Sequence, residues 1–296
     1  MPALTQEQKD QFWFDGFLVV DQAVSTELLL QMQEDYAAWV QESRSHEAPY
    51  GDTLDGRPRF DMESGHTADQ PRLRRVNAPV EASAAYYQTM ADSHMADCVV
   101  DLIGPNVKLH HTKINSKQPG GHTEVKWHQD FPYTPHTNDD LVTALLMIDE
   151  VTEENGALEV VPGSHRGPLY SLWHEGLFTG AVADQVVEQS KEKAVLCTGS
   201  AGSVCLMHTR LLHGSAANRS DLPRTLFISV YSADDAVPCA PNPMPTEYEG
   251  LLVAGQRSGR IRSIDFDVQR PQMPVTASFF DQQDAPRETT RSSRDP

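Results

Sequence analysis

Val125-Lys126-Trp127-His128-Gln129-Asp130 is the stretch on which the fold turns. Side chains along a strand alternate between its two faces. Read as a strand, this segment puts His128 and Asp130 on one side. One imidazole and one carboxylate make two-thirds of a metal site. Leu212-His213-Gly214-Ser215, far downstream, offers a second imidazole. Two His and one carboxylate form a facial triad that leaves positions open on Fe(II). That triad closes only if distant strands meet, so the site requires a β architecture around it.

The flanking sequence supplies one. Strand patterns run over Val107 to Asn115, Val125 to Gln129, Leu141 to Ile148, Ala157 to Val161 and Ala194 to Cys197. They continue over Ser203 to Met207, Leu211 to Ser215 and Thr225 to Ser232, with turn signals at Glu153-Glu154-Asn155-Gly156 and from Gly199 to Gly202. Upstream the texture is helical. Thr5 to Gln8 is a capping box, Gly16 ends that helix, and Phe17 to Val20 reads as a short buried strand. Ser25 caps a longer helix whose Leu28, Met32, Tyr36 and Trp39 share an apolar, core-facing stripe. From Ser43 to Pro79 no period holds, as in a lid or binding loop. Val80 to Ile103 reads as helix, stopped by Gly104-Pro105.

Helices that precede the strands rather than alternate with them exclude a βαβ fold. The expectation is a mainly β protein: a double-stranded β-helix (jelly roll) core with flanking α-helices. Residues 1–281 read as one domain, with a helical preface (1–105), a jelly-roll core (106–235) and an irregular segment (236–281). Residues 282–296 are polar and read as a disordered tail.

Forty-two acidic residues against 24 basic ones give a net charge of −18. That balance disfavours nucleic acid and anionic membrane surfaces as partners. Cys98, Cys197, Cys205 and Cys239 form no CxxC pair and read as buried free thiols in a reducing compartment. Met1 to Asp10 lacks an apolar signal core, and no apolar run reaches membrane-span length. A cytoplasmic protein acting on a small molecule, as monomer or homodimer, is expected.

With 12 His in the chain, His-x-Asp alone is a weak signal, and His165, His208 and His213 compete as the distal ligand. His213 is favoured because Ser215 shares its strand face and Arg224 follows. An antiparallel strand from Thr225 would bring Arg224 back alongside His213, where its guanidinium could clamp a carboxylate. His165, in the turn Pro162-Gly163-Ser164-His165, is expected at the rim. Arg72, Arg74 and Arg75 read first as solvated charges. With Arg257, Arg260 and Arg262 they are also candidates for a local anion pocket.

A wider set of residues then matches a family. It comprises His111-Thr112-x-x-Asn115, Lys117-Gln118-Pro119, Trp127-His128-Gln129-Asp130, Glu154-Asn155-Gly156-Ala157-Leu158, Val161-Pro162-Gly163-Ser164-His165 and His213-Gly214-Ser215-x-x-Asn218, with Arg224. Together these resemble the phytanoyl-CoA dioxygenase family of Fe(II)- and 2-oxoglutarate-dependent oxygenases. The likeness runs from Asp15-Gly16-Phe17 to about Ser232. It implies His128, Asp130 and His213 as iron ligands, and Arg224 with Ser215 on the distal carboxylate of 2-oxoglutarate. It also implies co-substrate or pocket contacts near Lys113 and Arg75, with O2 as the oxidant. Leu145 departs from the family, whose members often carry an aromatic residue on that strand. The expected activity is hydroxylation of an unactivated C–H in a small, anionic metabolite. The alternatives are a non-catalytic jelly-roll binding protein, and a cupin-like enzyme using another divalent metal.

Overall fold

The computed structural model describes residues 2–274 together with Thr276, Phe279, Phe280 and Gln283. Helix α1 (Gln6–Asp15) opens on the capping box: Thr5 accepts from the Gln8 N–H, and the Gln8 side chain accepts from the Thr5 N–H. Gly16, at φ 85°, closes it in the left-handed region where glycine is unstrained. Strand β1 (Phe17–Val20) follows, and then α2 (Thr26–Ser43), capped by Ser25. Met32, Tyr36 and Trp39 are the buried stripe of α2.

The stretch from Ser43 to Pro79 is less irregular than its sequence indicates. It holds β2 (Tyr50–Asp52), β3 (Pro58–Met62) and β4 (Leu73–Asn77), paired antiparallel in that order. Every residue of β4 is buried, so its Arg74 and Arg75 are not solvated charges. Strands with charged residues on a buried face leave no alternating pattern to read. The expected helix from Val80 to Ile103 is divided into α3 (Ala84–Ala91) and α4 (His94–Ile103). Ser93 breaks it by capping α4, its hydroxyl accepting from the Ala96 N–H.

The anticipated β region then follows: β5 (Val107–Lys117), β6 (Val125–His128), β7 (Leu141–Met147) and β8 (Leu158–Val160). A hairpin of β9 (Trp173–His174) and β10 (Leu177–Phe178) and a short α5 (Asp184–Lys191) intervene. Strands β11 (Val195–Cys197), β12 (Val204–His208), β13 (His213–Ser215), β14 (Arg224–Ala233) and β15 (Leu252–Ala254) complete the set.

Apart from the β9-β10 hairpin, these strands form two facing sheets. The larger has nine strands, in the order β1-β12-β7-β14-β5-β4-β3-β2 with β15 beside β5. The smaller has the order β11-β8-β13-β6. Strand alternation gives the large sheet two apolar faces. Val142, Ala144, Leu146, Leu206, Phe227 and Tyr231 pack against the helices. Leu145, Met147, Met207, Leu226 and Ile228 turn inward with Leu158 and Val160 of the small sheet. Both faces being covered explains why β7 and β14 are buried throughout.

One expected pairing is replaced. Strand β14 pairs with β5 and β7, whereas β13 pairs with β6 and β8. The chain between them crosses from one sheet to the other. Asn218 braces the crossing, donating to the carbonyls of Lys117 (2.9 Å) and Leu222 (2.7 Å). Arg224 therefore faces His213 across the interior. No helix among the described residues is long and apolar enough to cross a membrane. The expected tail, 282–296, lies outside the described residues except for Gln283, which is buried. Cys98, Cys197 and Cys205 are free and buried, and Cys239 is free but exposed.

Phe227 joins the helices to the sheet: it is 0% exposed, with its ring edge-on to Tyr86 at 4.9 Å. Phe227→Ala is expected to cost about 3–5 kcal/mol of unfolding free energy, measured by urea titration. A loss below about 1 kcal/mol would show that this packing is dispensable.

Candidate active site

Strand pairing assembles the first three residues. His213 of β13 stands opposite His128 of β6, and their ring centroids are 4.2 Å apart. Asp130 follows β6 directly. Its Oδ1 is 3.5 Å from His128 Nε2 and 3.8 Å from His213 Nε2. All three donor atoms lie within 4.8 Å of one another, close enough to share a metal ion.

The protonation pattern follows from the hydrogen bonds. His128 Nδ1 lies 2.8 Å from the Lys126 carbonyl, and His213 Nδ1 lies 2.9 Å from the Leu211 carbonyl. A carbonyl only accepts, so each Nδ1 carries the proton and each Nε2 keeps its lone pair for the centre. Burial pushes the His213 imidazole down to about 4, and His128 beside it adds to the effect, so it stays neutral. Burial alone would raise the Asp130 carboxyl. It nevertheless stays well below the usual carboxylate range, the Lys113 ammonium being one group that favours the anion. Thr143 of β7 donates to Asp130 Oδ2 at 2.8 Å, fixing the carboxylate from the opposite sheet. Gln129 points away and anchors the segment, donating to the Arg210 carbonyl (2.7 Å) and accepting from the Tyr170 N–H (2.9 Å).

Two small chambers meet at this trio. The inner one, about 40 Å³, is lined by Lys113, Leu145, Ser215 and Arg224. Arg224 is buried, with its Nε donating to the Gly156 carbonyl at 3.0 Å. Burial pushes its guanidinium down to about 10, and Asp149 opposes the shift, so it remains charged at neutral pH. Gly156 has φ 85°, and a Cβ there would meet the Ala216 carbonyl oxygen at 2.6 Å, so only glycine lets the turn approach. Lys117, 4% exposed and paired across the ladder with Arg224, donates to the Ser215 hydroxyl at 2.7 Å. Burial holds the Lys117 amine well below its ordinary value. With a lone pair taken by Lys117, the Ser215 O–H is left to donate. A buried guanidinium, a hydroxyl donor and a second cation behind them suit a carboxylate.

The outer chamber, about 50 Å³, is lined by Arg57, Arg75, His111, Tyr133, Thr134 and Phe279. Lys113, His128 and Asp130 border both chambers. Arg75 thus lies outside the inner chamber. Burial pushes the Lys113 amine down to about 8, and Arg75 adds to that shift. The other arginines are engaged elsewhere. Arg74 pairs with Asp61 at 2.7 Å, Arg257 with Asp234 at 2.9 Å, and Arg262 with Asp235 at 3.1 Å. His165 meets the Trp13 carbonyl at 3.2 Å and packs on His208, so both of these histidines brace α1.

The trio, Ser215, Arg224 and Lys113 line one chamber. The sequence reading assigned no role to Thr143, Lys117, His111, Arg57 or Phe279. Of these Lys117 and His111 left a trace, in Lys117-Gln118-Pro119 and His111-Thr112-x-x-Asn115; polar residues on buried strands otherwise look like ordinary strand residues.

A jelly roll enclosing two imidazoles and a carboxylate beside a buried guanidinium defines a non-haem metal enzyme. The chain matches the family model for phytanoyl-CoA dioxygenase (PhyH) over residues 13–226, and it belongs to that family. It is an Fe(II)- and 2-oxoglutarate-dependent dioxygenase. It is 34% identical to a probable alpha-ketoglutarate-dependent hypophosphite dioxygenase of Stutzerimonas stutzeri, over 72% of this chain and 74% of the relative. It is 30% identical to an ectoine dioxygenase of Sphingopyxis alaskensis, over 53% of this chain and 55% of that one. The fold is similar to the crystal structure of EctD from S. alaskensis with 2-oxoglutarate and 5-hydroxyectoine. That match has a TM-score of 0.65 at 21% identity and covers 88% of each chain.

Thr143→Val removes the hydrogen bond to Asp130 and keeps the shape. It is expected to weaken divalent-metal binding about 10- to 100-fold, read by anaerobic Fe(II) titration. Unchanged affinity would show that the Asp130 carboxylate needs no support from the opposite sheet.

Proposed function

We propose that His128, Asp130 and His213 bind Fe(II), and that the enzyme hydroxylates a small anion. The observation that carries this is the convergence of two Nε2 lone pairs and one carboxylate oxygen within 4.8 Å. Arg224 and Ser215 seat the distal carboxylate of 2-oxoglutarate in the inner chamber. Lys113, bordering both chambers, contributes positive charge near the metal. The chemistry that iron supplies when bound is oxidation: substrate-H, O2 and 2-oxoglutarate become substrate-OH, succinate and CO2.

The chain's own residues bind, orient and exclude water. Lys126 and Leu211 carbonyls hold the imidazoles in the metal-binding tautomer. Leu145, Met207, Leu226 and Ile228 make the walls of the inner chamber apolar. A dry wall strengthens the pull of Arg224 on a carboxylate. We read the whole as one oxygenase domain, working in the cytoplasm; the free cysteines support a reducing compartment.

Two features support a small anion. The outer chamber is small and carries positive charge, although the chain as a whole is at −18. The Stutzerimonas stutzeri relative is named for hypophosphite, a compact oxyanion. If that substrate is shared, the oxidised bond is P–H in place of the C–H expected from sequence. The experiment is oxygen uptake and succinate formation with hypophosphite and with small carboxylates.

Asp130→Ala is expected to abolish substrate-dependent succinate formation; full turnover would defeat the metal assignment. Arg224→Gln is expected to raise the KM for 2-oxoglutarate about 10- to 100-fold, the range for losing a buried charge-assisted contact. An unchanged KM would remove Arg224 from the co-substrate site.

A further inference from the structure

Arg75 stands apart from every other buried arginine discussed above. It is 2% exposed, on β4, with its Nε donating to Asn115 Oδ1 at 3.0 Å. Its Nη2 is sealed from water and has no hydrogen-bond partner among the described residues. Asp61, the cross-strand partner of Arg75 on β3, favours its charge from a distance but is itself hydrogen-bonded to Arg74. The rings of Phe279 and Phe280 lie 4.6 and 4.9 Å from its guanidinium carbon. They offer some cation–π attraction but no acceptor. Lys113, at the junction of the chambers, likewise makes no hydrogen bond or ion pair among the described residues, and its amine lies 5.8 Å from the Phe279 ring.

A buried charge without a counter-ion is costly, and folded proteins seldom keep one unless a ligand completes it. Here the unsatisfied donor belongs to a residue that lines the outer chamber, as do His128 and Asp130. A dicarboxylate seated on Arg224 occupies the other chamber. The missing acceptor is therefore a second, separate anion.

We infer that Arg75 is the specificity-determining residue of this enzyme: it receives the negative charge of the primary substrate, not of 2-oxoglutarate. The inference rests on the two-chamber reading proposed above and moves Arg75 from the co-substrate contacts suggested by family resemblance to the substrate. Arg75 lines the same chamber as His128 and Asp130, so the substrate carries its charged oxygen close to the X–H bond that is oxidised; phosphorus oxyanions and short carboxylates qualify.

The test compares wild type, Arg75→Gln and Arg75→Lys with sodium hypophosphite and sodium acetate as probes. Turnover is read as succinate. Co-substrate affinity is read separately, from the visible charge-transfer band of the anaerobic Fe(II)–2-oxoglutarate complex. Arg75→Gln is expected to raise the KM of the accepted probe about 10- to 100-fold, while 2-oxoglutarate affinity moves less than about twofold. Arg75→Lys restores charge without the fork and is expected to recover part of the loss. If Arg75→Gln does not fold, the Arg75→Lys enzyme still decides: a raised probe KM at unchanged 2-oxoglutarate affinity supports the role, and equal KM values overturn it. A rise in the 2-oxoglutarate requirement with probe KM unmoved returns Arg75 to the co-substrate and overturns the inference. The two readings fail separately. If the wild-type enzyme neither binds nor oxidises either probe, the small-anion reading is overturned and the Arg75 role that rests on it is overturned with it. If it does and Arg75→Gln is no weaker, only Arg75 loses its role.

Discussion

One strand register governs this molecule: His213 opposite His128 on neighbouring strands of the small sheet. Directly paired side chains on one face of a ladder come within touching range. The pairing thus presents two imidazoles to the interior without any long loop to order. A one-residue slip would turn both rings to the other face. Gln129, between His128 and Asp130, ties that segment to Arg210 and Tyr170, and the Nδ1–H bonds to Lys126 and Leu211 set the orientation of each ring.

The second sheet supplies most of what is not a metal-facing side chain, Ser215 on β13 being an exception from the small sheet. Thr143 on β7 steadies Asp130, Arg224 on β14 reaches in from one end, and Lys113 on β5 lies between the chambers. The site is thus an interface between two sheets, and its dryness comes from the same side chains that hold the sheets together. Leu145, Met207 and Ile228 are both core and chamber wall. In such a place a charge is strongly felt and must be answered. Lys117 answers to Ser215 and Ala216, and Arg224 partly to Gly156. Arg75 is the group left waiting.

How legible this was depended on the kind of signal. The proposed metal-binding residues could be read because His-x-Asp and a later His with Ser and Arg are rare in combination. The strands of the core could be read because apolar runs bounded by turn residues have few other meanings. Arg75 was seen but misjudged. Three arginines in four residues look like a solvated cluster until β4 is known to pair with β5. Residues 43–79 failed for the same reason: buried polar strands carry no periodic signature. Arg224 was anticipated near His213, but by hairpin return, whereas the chain crosses between the sheets.

The sequence by itself determined the donor set, the family, and the order of helices before strands, because these depend on residue identity and local pattern. Only the tertiary structure decided how the strands are ordered within the two sheets, and which cation lines which chamber. That division depends on long-range strand pairing. Residues far apart in the chain become neighbours there through backbone ladders, which leave almost no imprint on side-chain sequence.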